Sequence, residues 1–250
     1  MIRALLLGAA LSMIGAAPPD AYLTAGQYPD GLVVLAPPPA PGSPTARADA
    51  AIFRETRRLA GTPRWRIATD DVTNTPLARN ACALGMRIDA RSAPATARLL
   101  DRAHAGPLVD PVKRHYQVRR PYLDAPGAPI CEPRTAHLAG NGDYPSGHTA
   151  AGWLEALILA EAMPTRATAI LARGRAYGES RAVCGSHSRS AVDAGYLAGS
   201  AVFAALQGSV AFQRDLAAAR DELAHLRTTA PTPDRATCAA EAEALAVRPW

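Results

Sequence analysis

The sequence predicts an all-α fold, a single-domain helical bundle. From Arg47 onward, apolar residues recur at spacings of three and four positions, which is the period of a helix packed on a core. The alternation of apolar and polar residues that is typical of strands is nowhere sustained. A chain of 250 residues can bury a substantial core and fits one or two domains, of which we favour one.

Residues 1–17 have the form of a secretory signal peptide. Arg3 supplies a positive charge at the start, an apolar stretch fills positions 4–15, and small residues occupy positions 15–17. The apolar stretch is too short to span a bilayer. We therefore expect cleavage at its end and a mature protein in the periplasm. The alternative is an uncleaved anchor.

Residues 18–46 are rich in proline and small side chains, with Pro37-Pro38-Pro39 and Pro41-Gly42 at the centre. Because proline fixes φ and lacks an N–H group, this composition predicts an extended N-terminal arm that does not nucleate a helix. The helical domain is predicted to occupy residues 47–250.

Helices are predicted from the periodicity and from proline in first turns, where the missing N–H group is harmless. Residues 121–145 contain five prolines and three glycines and are predicted to form a loop. Ser146 follows at the N-cap position of the next helix. The helix at 191–206 is rich in glycine and alanine, which allow close packing. The predicted helices are 49–59, 76–86, 94–104, 109–119, 150–163, 165–182, 191–206, 211–226 and 236–246.

The four cysteines form an even set that suits an exported protein. They are Cys82, Cys131, Cys184 and Cys238. They allow up to two disulfides in any of three connectivities, which the sequence alone does not decide. They are widely separated, with no Cys-x-x-Cys pair, so no metal site is predicted. We expect no free thiols in the native protein.

The formal net charge of +5 favours anionic partners only weakly. Arginines are scattered and aromatic residues are few, without a basic stripe, so nucleic-acid binding is not predicted. Small phosphorylated molecules fit better. Neither a cofactor nor stable insertion into a membrane is predicted, and the oligomeric state stays open, a homo-oligomer included.

Three short segments carry the residues suited to chemistry. They are Lys113 with Arg120-Pro121, the run from Tyr144 to Thr149, and Ser180-Arg181 followed by His187. The lysine and the two arginines bring three positive charges, and each arginine can bind two oxygens of a phosphoryl group at once. Histidine can act as nucleophile, acid or base near neutral pH, so His148 and His187 could divide these roles. The segments together predict a phosphate pocket.

The spacing of these residues supports one common site. Lys113 and Arg120 are two helical turns apart, so both side chains can face the same side. By charge alone they would equally fit a solvated basic face, but the two downstream segments favour the site. With Ser146 as the N-cap, the backbone N–H groups of Ser146, Gly147 and His148 can approach an anion closely.

These residues resemble the pattern of the class A bacterial non-specific acid phosphatases, which belong to the type-2 phosphatidic acid phosphatase superfamily. That pattern is Lys, six residues, Arg-Pro; then Pro-Ser-Gly-His; then Ser-Arg, five residues, His, three residues, Asp. All but the last residue recur here at the family spacing, and the resemblance covers roughly residues 45–225. It implies the superfamily's helical fold and metal-independent hydrolysis of phosphate monoesters through a phosphohistidine.

The resemblance also implies a role for each residue. The residue matching His187 attacks phosphorus, and the one matching His148 protonates the leaving alkoxide and then activates water. The phosphate oxygens are bound by the remaining motif residues and by backbone amides. The expected phosphate-binding residues are Lys113, Arg120, Ser146, Gly147 and Arg181.

One position departs from the family pattern, because the final carboxylate is replaced by Ala191. On a helix, residue 191 would share a face with His187 and could hold the tautomer of its ring, which alanine cannot do. Asp193 would point about 240° around the helix from His187 and is a poor substitute. We therefore expect lowered activity.

Three other functions are alternatives to the phosphatase. Ala191 favours a phosphate-binding homologue with weakened catalysis. A vanadate-dependent haloperoxidase uses a similar oxyanion pocket, but the short chain and the close class A pattern argue against it. A membrane lipid phosphatase would need transmembrane helices, which the sequence does not predict.

Overall fold

The computed structural model describes residues 20–250. Every regular element in that range is helical, which confirms the predicted all-α class. The predicted signal peptide at 1–17 lies outside the described residues. The α-helices are α1 (Gly31–Val34), α2 (Pro44–Thr56), α3 (Pro63–Thr73), α4 (Pro76–Arg79), α5 (Ala81–Leu84), α6 (Pro94–Asp101), α7 (Gly106–Tyr116), α8 (Ala136–Gly140), α9 (Gly147–Ala162), α10 (Ala167–Cys184), α11 (Arg189–Leu206), α12 (Val210–Thr229) and α13 (Arg235–Ala246).

Three long helices form the centre of the bundle. Helix α9 packs against both α10 and α11, while α3 lies on α10, α7 contacts α9, and α12 packs on α6. Leu154 and Ile158 of α9, Val202 of α11 and Leu216 of α12 are fully buried. Helix α9 buries residues all around its circumference, which is typical of a helix at the centre of a fold.

Small residues on α11 let it lie close to the start of α9, as the composition of that segment predicts. A β-carbon at Gly195 would lie 2.7 Å from Thr149 Cβ and 2.8 Å from Ser146 O, so the two backbones are in contact there. The N–H group of Ser146 donates to Ala191 O at 2.9 Å. The first turns of α9 and α11 are therefore held against each other.

The prediction of an extended arm at 18–46 is wrong in two places. Helix α1 lies within it, capped by Asp30, whose carboxylate accepts the Leu32 N–H at 2.9 Å. Helix α2 begins at Pro44, before the predicted start at residue 49. Four apolar residues of the arm are buried in the main core. The free energy gained by burying them outweighs the preference of a proline-rich segment for extended backbone. The four residues are Tyr22, Leu23, Tyr28 and Leu35.

Most predicted helices occur within a few residues of their predicted bounds, but two regions differ. The helix predicted at 76–86 is interrupted at Asn80, whose side-chain amide donates to Pro76 O at 2.8 Å and so competes with helical hydrogen bonding. The periodicity does not predict α3, or α8 inside the supposed loop at 121–145. Their local signals are threonine N-caps at Thr62 and Thr135.

One disulfide joins Cys82 of α5 to Cys238 of α13, with the two Cα atoms 5.5 Å apart. Cys131 and Cys184 are free. The expectation of no free thiols is therefore wrong, although these two residues are neighbours. The Cys131 N–H donates to Cys184 O at 3.1 Å.

Within residues 20–250, no single helix is both long and apolar enough to cross a membrane. Helices α11 and α12 meet those criteria only when taken together, and the chain bends by 99° between them. Both helices pack on α9 inside the bundle.

Candidate active site

Lys113 and Arg120 approach the site from consecutive segments. Lys113 lies in the last turn of α7, which ends at Tyr116 because Gln117 adopts a left-handed conformation with φ 47°. The helix therefore stops short of the predicted end at residue 119. Arg120 lies beyond it in extended backbone, with φ −72° and ψ 145°. Both cationic side chains are buried.

These two side chains hold the loop that leads into α9. Lys113 Nζ donates to Gly142 O at 2.6 Å. Arg120 donates to Asn141 O through Nε at 3.0 Å and through Nη2 at 2.7 Å. The loop is thereby positioned before the chain reaches Ser146. Each cation thus orients the backbone as well as adding positive charge to the site.

Ser146 is the N-cap of α9, as predicted. Its Oγ accepts from Thr149 N–H at 3.2 Å and from Thr149 Oγ1 at 2.9 Å. The Ser146 N–H, predicted to face an anion, instead donates to Ala191 O. The hydroxyl proton is therefore the donor that Ser146 can still offer to a ligand. The first N–H groups of a helix have no acceptor within it, so those of Gly147 and His148 are suited to an anion, as predicted.

Of the two arginines predicted to bind phosphate, Arg181 makes the fewer hydrogen bonds to residues 20–250. It lies near the end of α10 and is fully buried, with Nη2 donating to Ala68 O at 3.0 Å. Its Nε and Nη1 have no hydrogen-bond partner among residues 20–250. By contrast, Arg120 makes four hydrogen bonds to the protein with its five N–H groups. Arg181 therefore has more donors available for phosphate oxygens than Arg120.

A buried polar cluster fixes the turn of α10 that carries Arg181. Ser180 Oγ donates to Asp71 Oδ2 at 2.7 Å, and Arg64 Nη1 donates to Ser180 Oγ at 3.0 Å. Asp71 also forms an ion pair with Arg173. These contacts join α3 to α10, so the serine before Arg181 has a structural role.

His187 lies in the short segment between α10 and α11, and its ring nitrogens have different partners. Arg120 Nη1 lies 3.1 Å from Nε2, and Asp143 O lies 2.7 Å from Nδ1. Because a guanidinium can only donate and a carbonyl oxygen can only accept, Nδ1 carries the proton and Nε2 keeps its lone pair. The ring is therefore in the tautomer that a nucleophilic Nε2 requires.

The electrostatics keep both imidazoles neutral near pH 7. Burial lowers the pKa of His187 well below its usual range, and the charges of Arg120 and Lys113 act in the same direction. Partial desolvation, followed by the charge of Arg181, lowers the pKa of His148, although its side chain still reaches solvent. Burial also lowers the pKa of Lys113, to about 8, which leaves it mostly cationic at neutral pH.

The helical geometry assumed for residues 191 and 193 does not hold, because α11 begins at Arg189, after His187. Asp193 pairs with Arg189 at 3.3 Å with about half of its side chain exposed, and it is not the partner of His187. The carboxylate beside His187 belongs to Asp143, whose Oδ1 lies 3.1 Å from Nδ1. The sequence motifs do not include this residue. The sequence feature that could have identified Asp143 is an acidic side chain directly before Tyr-Pro-Ser-Gly-His, in a chain that has alanine at position 191.

The structure thus brings the three predicted segments together. The ring centroids of His148 and His187 are 6.5 Å apart, and His148 is exposed whereas His187 is buried. A β-carbon added at Gly147 would lie 3.9 Å from Lys113 Cε, which places the start of α9 beside that lysine. Within residues 20–250, no cluster of three or more histidine, cysteine or acidic side chains could hold a metal ion.

The chain is similar to known phosphatases over most of its length. Residues 97–214 match the family model described as the PAP2 superfamily. The chain is 43% identical over 223 residues to an acid phosphatase of Zymomonas mobilis subsp. mobilis, covering 87% of this chain and 84% of that protein. It is 38% identical over 201 residues to a non-specific acid phosphatase of Salmonella typhimurium, with coverage of 76% and 78%. A non-specific acid phosphatase of Providencia stuartii is 37% identical over 216 residues, with coverage of 82% and 86%.

Proposed function

Because the chain belongs to the PAP2 superfamily, we propose that it is an acid phosphatase that hydrolyses phosphate monoesters of small molecules. The observation that carries this proposal is the buried Arg181 guanidinium, whose Nε and Nη1 have no partner within residues 20–250. A buried cation with unused N–H groups is costly unless an anion binds it. The oxygens of a phosphoryl group match its planar fork.

The first transfer forms a phosphohistidine. The Nε2 atom of His187 attacks phosphorus, and the bond from phosphorus to the ester oxygen breaks as the bond to nitrogen forms. His148 donates a proton to the leaving alkoxide. Arg181, Lys113 and the N–H groups that start α9 bind the remaining oxygens and offset the charge that develops on them.

The second transfer releases inorganic phosphate. His148, now neutral, accepts a proton from water, and the water oxygen attacks phosphorus. The phosphorus–nitrogen bond breaks, and its electron pair returns to Nε2 of His187. The cations around the phosphate already supply the charge stabilisation, so the proposal needs no metal ion.

Substrate binding is what makes His148 an acid. In the protein alone, desolvation and the neighbouring cations lower its pKa. The negative charge of a bound phosphate monoester offsets those cations and raises the pKa again. His148 is therefore protonated mainly when a substrate is present to accept the proton.

A phosphate-binding homologue with weakened catalysis is the second candidate. Ala191 favours it, because the family pattern has a carboxylate at that position. The presence of Asp143 beside Nδ1 of His187 favours turnover instead. Tight phosphate binding without phosphate release from an aryl phosphate would support the second candidate.

We expect release of phosphate from 4-nitrophenyl phosphate to be unchanged by EDTA, because the proposed transfer uses side-chain cations and backbone N–H groups. Vanadate and inorganic phosphate should inhibit competitively, since both can bind Arg181. Initial rates with and without chelator measure this, with a metal-dependent phosphatase assayed in parallel as the control. Activity that is lost on chelation and restored by a divalent metal would contradict the mechanism.

We infer that the protein is exported to the periplasm. The form of residues 1–17 supports export, and the bond between Cys82 and Cys238 suits an oxidising compartment. Intact-mass measurement of periplasmic protein should show the loss of these residues, one disulfide, and two thiols that react after denaturation, Cys131 and Cys184. Full-length protein confined to the membrane fraction would support an uncleaved anchor instead.

A further inference from the structure

We propose that Asp143 is the positioning residue for His187, supplying from the loop before α9 the carboxylate that the family pattern places at residue 191. This inference rests on the proposed function, because it concerns the proposed nucleophile. Asp143 meets Nδ1 of His187 with two acceptors. Its backbone O lies 2.7 Å from that nitrogen, and its Oδ1 lies 3.1 Å from it.

The two acceptors have separate effects. The backbone oxygen is closer and suffices to keep the proton on Nδ1, which leaves the Nε2 lone pair for attack. The carboxylate adds negative charge beside a ring that becomes positive when Nε2 bonds to phosphorus. In a buried site such an interaction is stronger than in water. Asp143 should therefore stabilise the transition state more than the ground state.

Ser188 fixes the carboxylate in this orientation. Its N–H donates to Oδ1 of Asp143 at 3.0 Å, and its Oγ donates to Oδ2 at 2.6 Å. The Asp143 N–H donates to Val118 O at 2.7 Å, which fixes the backbone as well. Ser188 follows His187 directly, so the carboxylate and the imidazole are held by one short segment.

Besides binding Ser188, the Asp143 carboxylate contacts one ionisable group in the described part of the chain, the imidazole of His187. Asp143 is 3% exposed, and within residues 20–250 its one ion-pair partner closer than 4.0 Å is His187. Burial raises the pKa of Asp143 to about 6, against the opposing effects of Ser188, Arg120 and Lys113. The ionised form therefore costs free energy in the folded protein. Such perturbed groups are typical of functional sites.

Residue 191 adjoins the same arrangement. Ser188 Oγ, which donates to Asp143, also accepts the Ala191 N–H at 3.2 Å. The Ala191 side chain is fully buried. An aspartate at 191 would add a second buried carboxylate to this region, and like charges in a buried site repel. Alanine at 191 is therefore compatible with a site whose carboxylate comes from Asp143.

The Asp143→Asn variant removes the charge and can keep both contacts with Ser188, because the amide oxygen accepts the Ser188 N–H and the amide NH₂ group donates to Ser188 Oγ in the reverse direction. We expect kcat for 4-nitrophenyl phosphate to fall by about 10- to 10³-fold, with KM nearly unchanged. The loss should be smaller than the roughly 10⁴-fold that follows when a catalytic histidine adopts the wrong tautomer, since the backbone oxygen remains. Asp193→Asn, the same change on a surface carboxylate, is the matched control and should behave as wild type.

Ligand affinity provides a readout that does not need turnover. Vanadate can bond to Nε2 as phosphorus does in the transition state, so its affinity should fall by a factor similar to that in kcat. Inorganic phosphate, bound without that bond, should keep its wild-type affinity. Thermal melting of each variant checks folding, and Asp143→Ser repeats the test with a smaller uncharged side chain.

Unchanged kcat and unchanged vanadate affinity in Asp143→Asn would overturn the inference. So would a gain of about tenfold or more from Ala191→Asp alone, because it would show that the carboxylate role is unfilled. A wild-type protein without phosphatase activity would overturn the proposed function only. The ratio of vanadate to phosphate affinity would then still decide the role of Asp143.

Discussion

The His187→Ala variant is expected to lower kcat for aryl phosphates by about 10⁴- to 10⁶-fold, the scale of loss when a covalent nucleophile is removed. The Nε2 atom of His187 holds its lone pair because the ring proton is on Nδ1, beside Asp143 O. Without this atom the phosphohistidine cannot form. Single-turnover reactions quenched in base measure the rate of phosphoryl transfer. Mass spectrometry of the peptide that contains residue 187 then detects the phosphohistidine.

The matched control for this variant is His225→Ala, which removes an exposed histidine on α12 and should leave kcat unchanged. Phosphate should still bind to His187→Ala, because Arg181 and Lys113 remain, and melting should show that the buried site is intact. Phosphate trapped on His148 in the wild-type protein would reverse the assignment of the two histidines.

The His148→Ala variant is expected to lose about 10²- to 10⁴-fold in kcat/KM with alkyl phosphates, the usual contribution of general acid catalysis. The loss should be much smaller with 4-nitrophenyl phosphate, whose leaving group departs without a proton. His148 is exposed and lies beside the buried His187, so it is placed to meet a leaving group that faces solvent. To test this, kcat/KM of wild type and variant is measured on a series of phenyl and alkyl phosphates whose leaving groups differ in pKa. The loss in the variant should grow as the leaving-group pKa rises.

The same variant should accumulate the phosphoenzyme, because in the proposed mechanism His148 also activates the water of the second transfer. A burst of about one equivalent of nitrophenolate followed by slow turnover is the expected time course. His137→Ala, at an exposed position on α8, is the control and should show wild-type rates. An equal loss for good and poor leaving groups, without a burst, would exclude His148 as the acid.

Local patterns in the sequence predict the helical class and most helices, because periodicity and capping act over a few neighbouring residues. Ser146 followed by an apolar run predicts α9, and the glycines of α11 predict its close approach to that helix. The N-terminal arm shows where local composition fails. Tyr22 and Leu35 are buried by distant parts of the chain, and that burial stabilises a structure that a proline-rich segment would not form alone.

The sequence by itself determined which chemical groups the site contains, since the spacing of Lys113, Arg120, Arg181 and the two histidines is enough to predict a phosphate pocket. Only the tertiary structure decided which of these groups hydrogen-bond to the protein and which keep free donors. Arg120 donates mostly to carbonyl oxygens, whereas Nε and Nη1 of Arg181 have no partner within residues 20–250.

The tertiary structure also decided which carboxylate meets His187. Sequence spacing locates a partner only while one helix continues, and α11 begins after His187, so the rule that predicts a partner at residue 191 does not apply. Asp143 reaches the ring from 44 residues away, because the packing of α9 against α11 brings the two loops together. Contacts of that kind depend on the assembled core, and no local pattern in the chain specifies them.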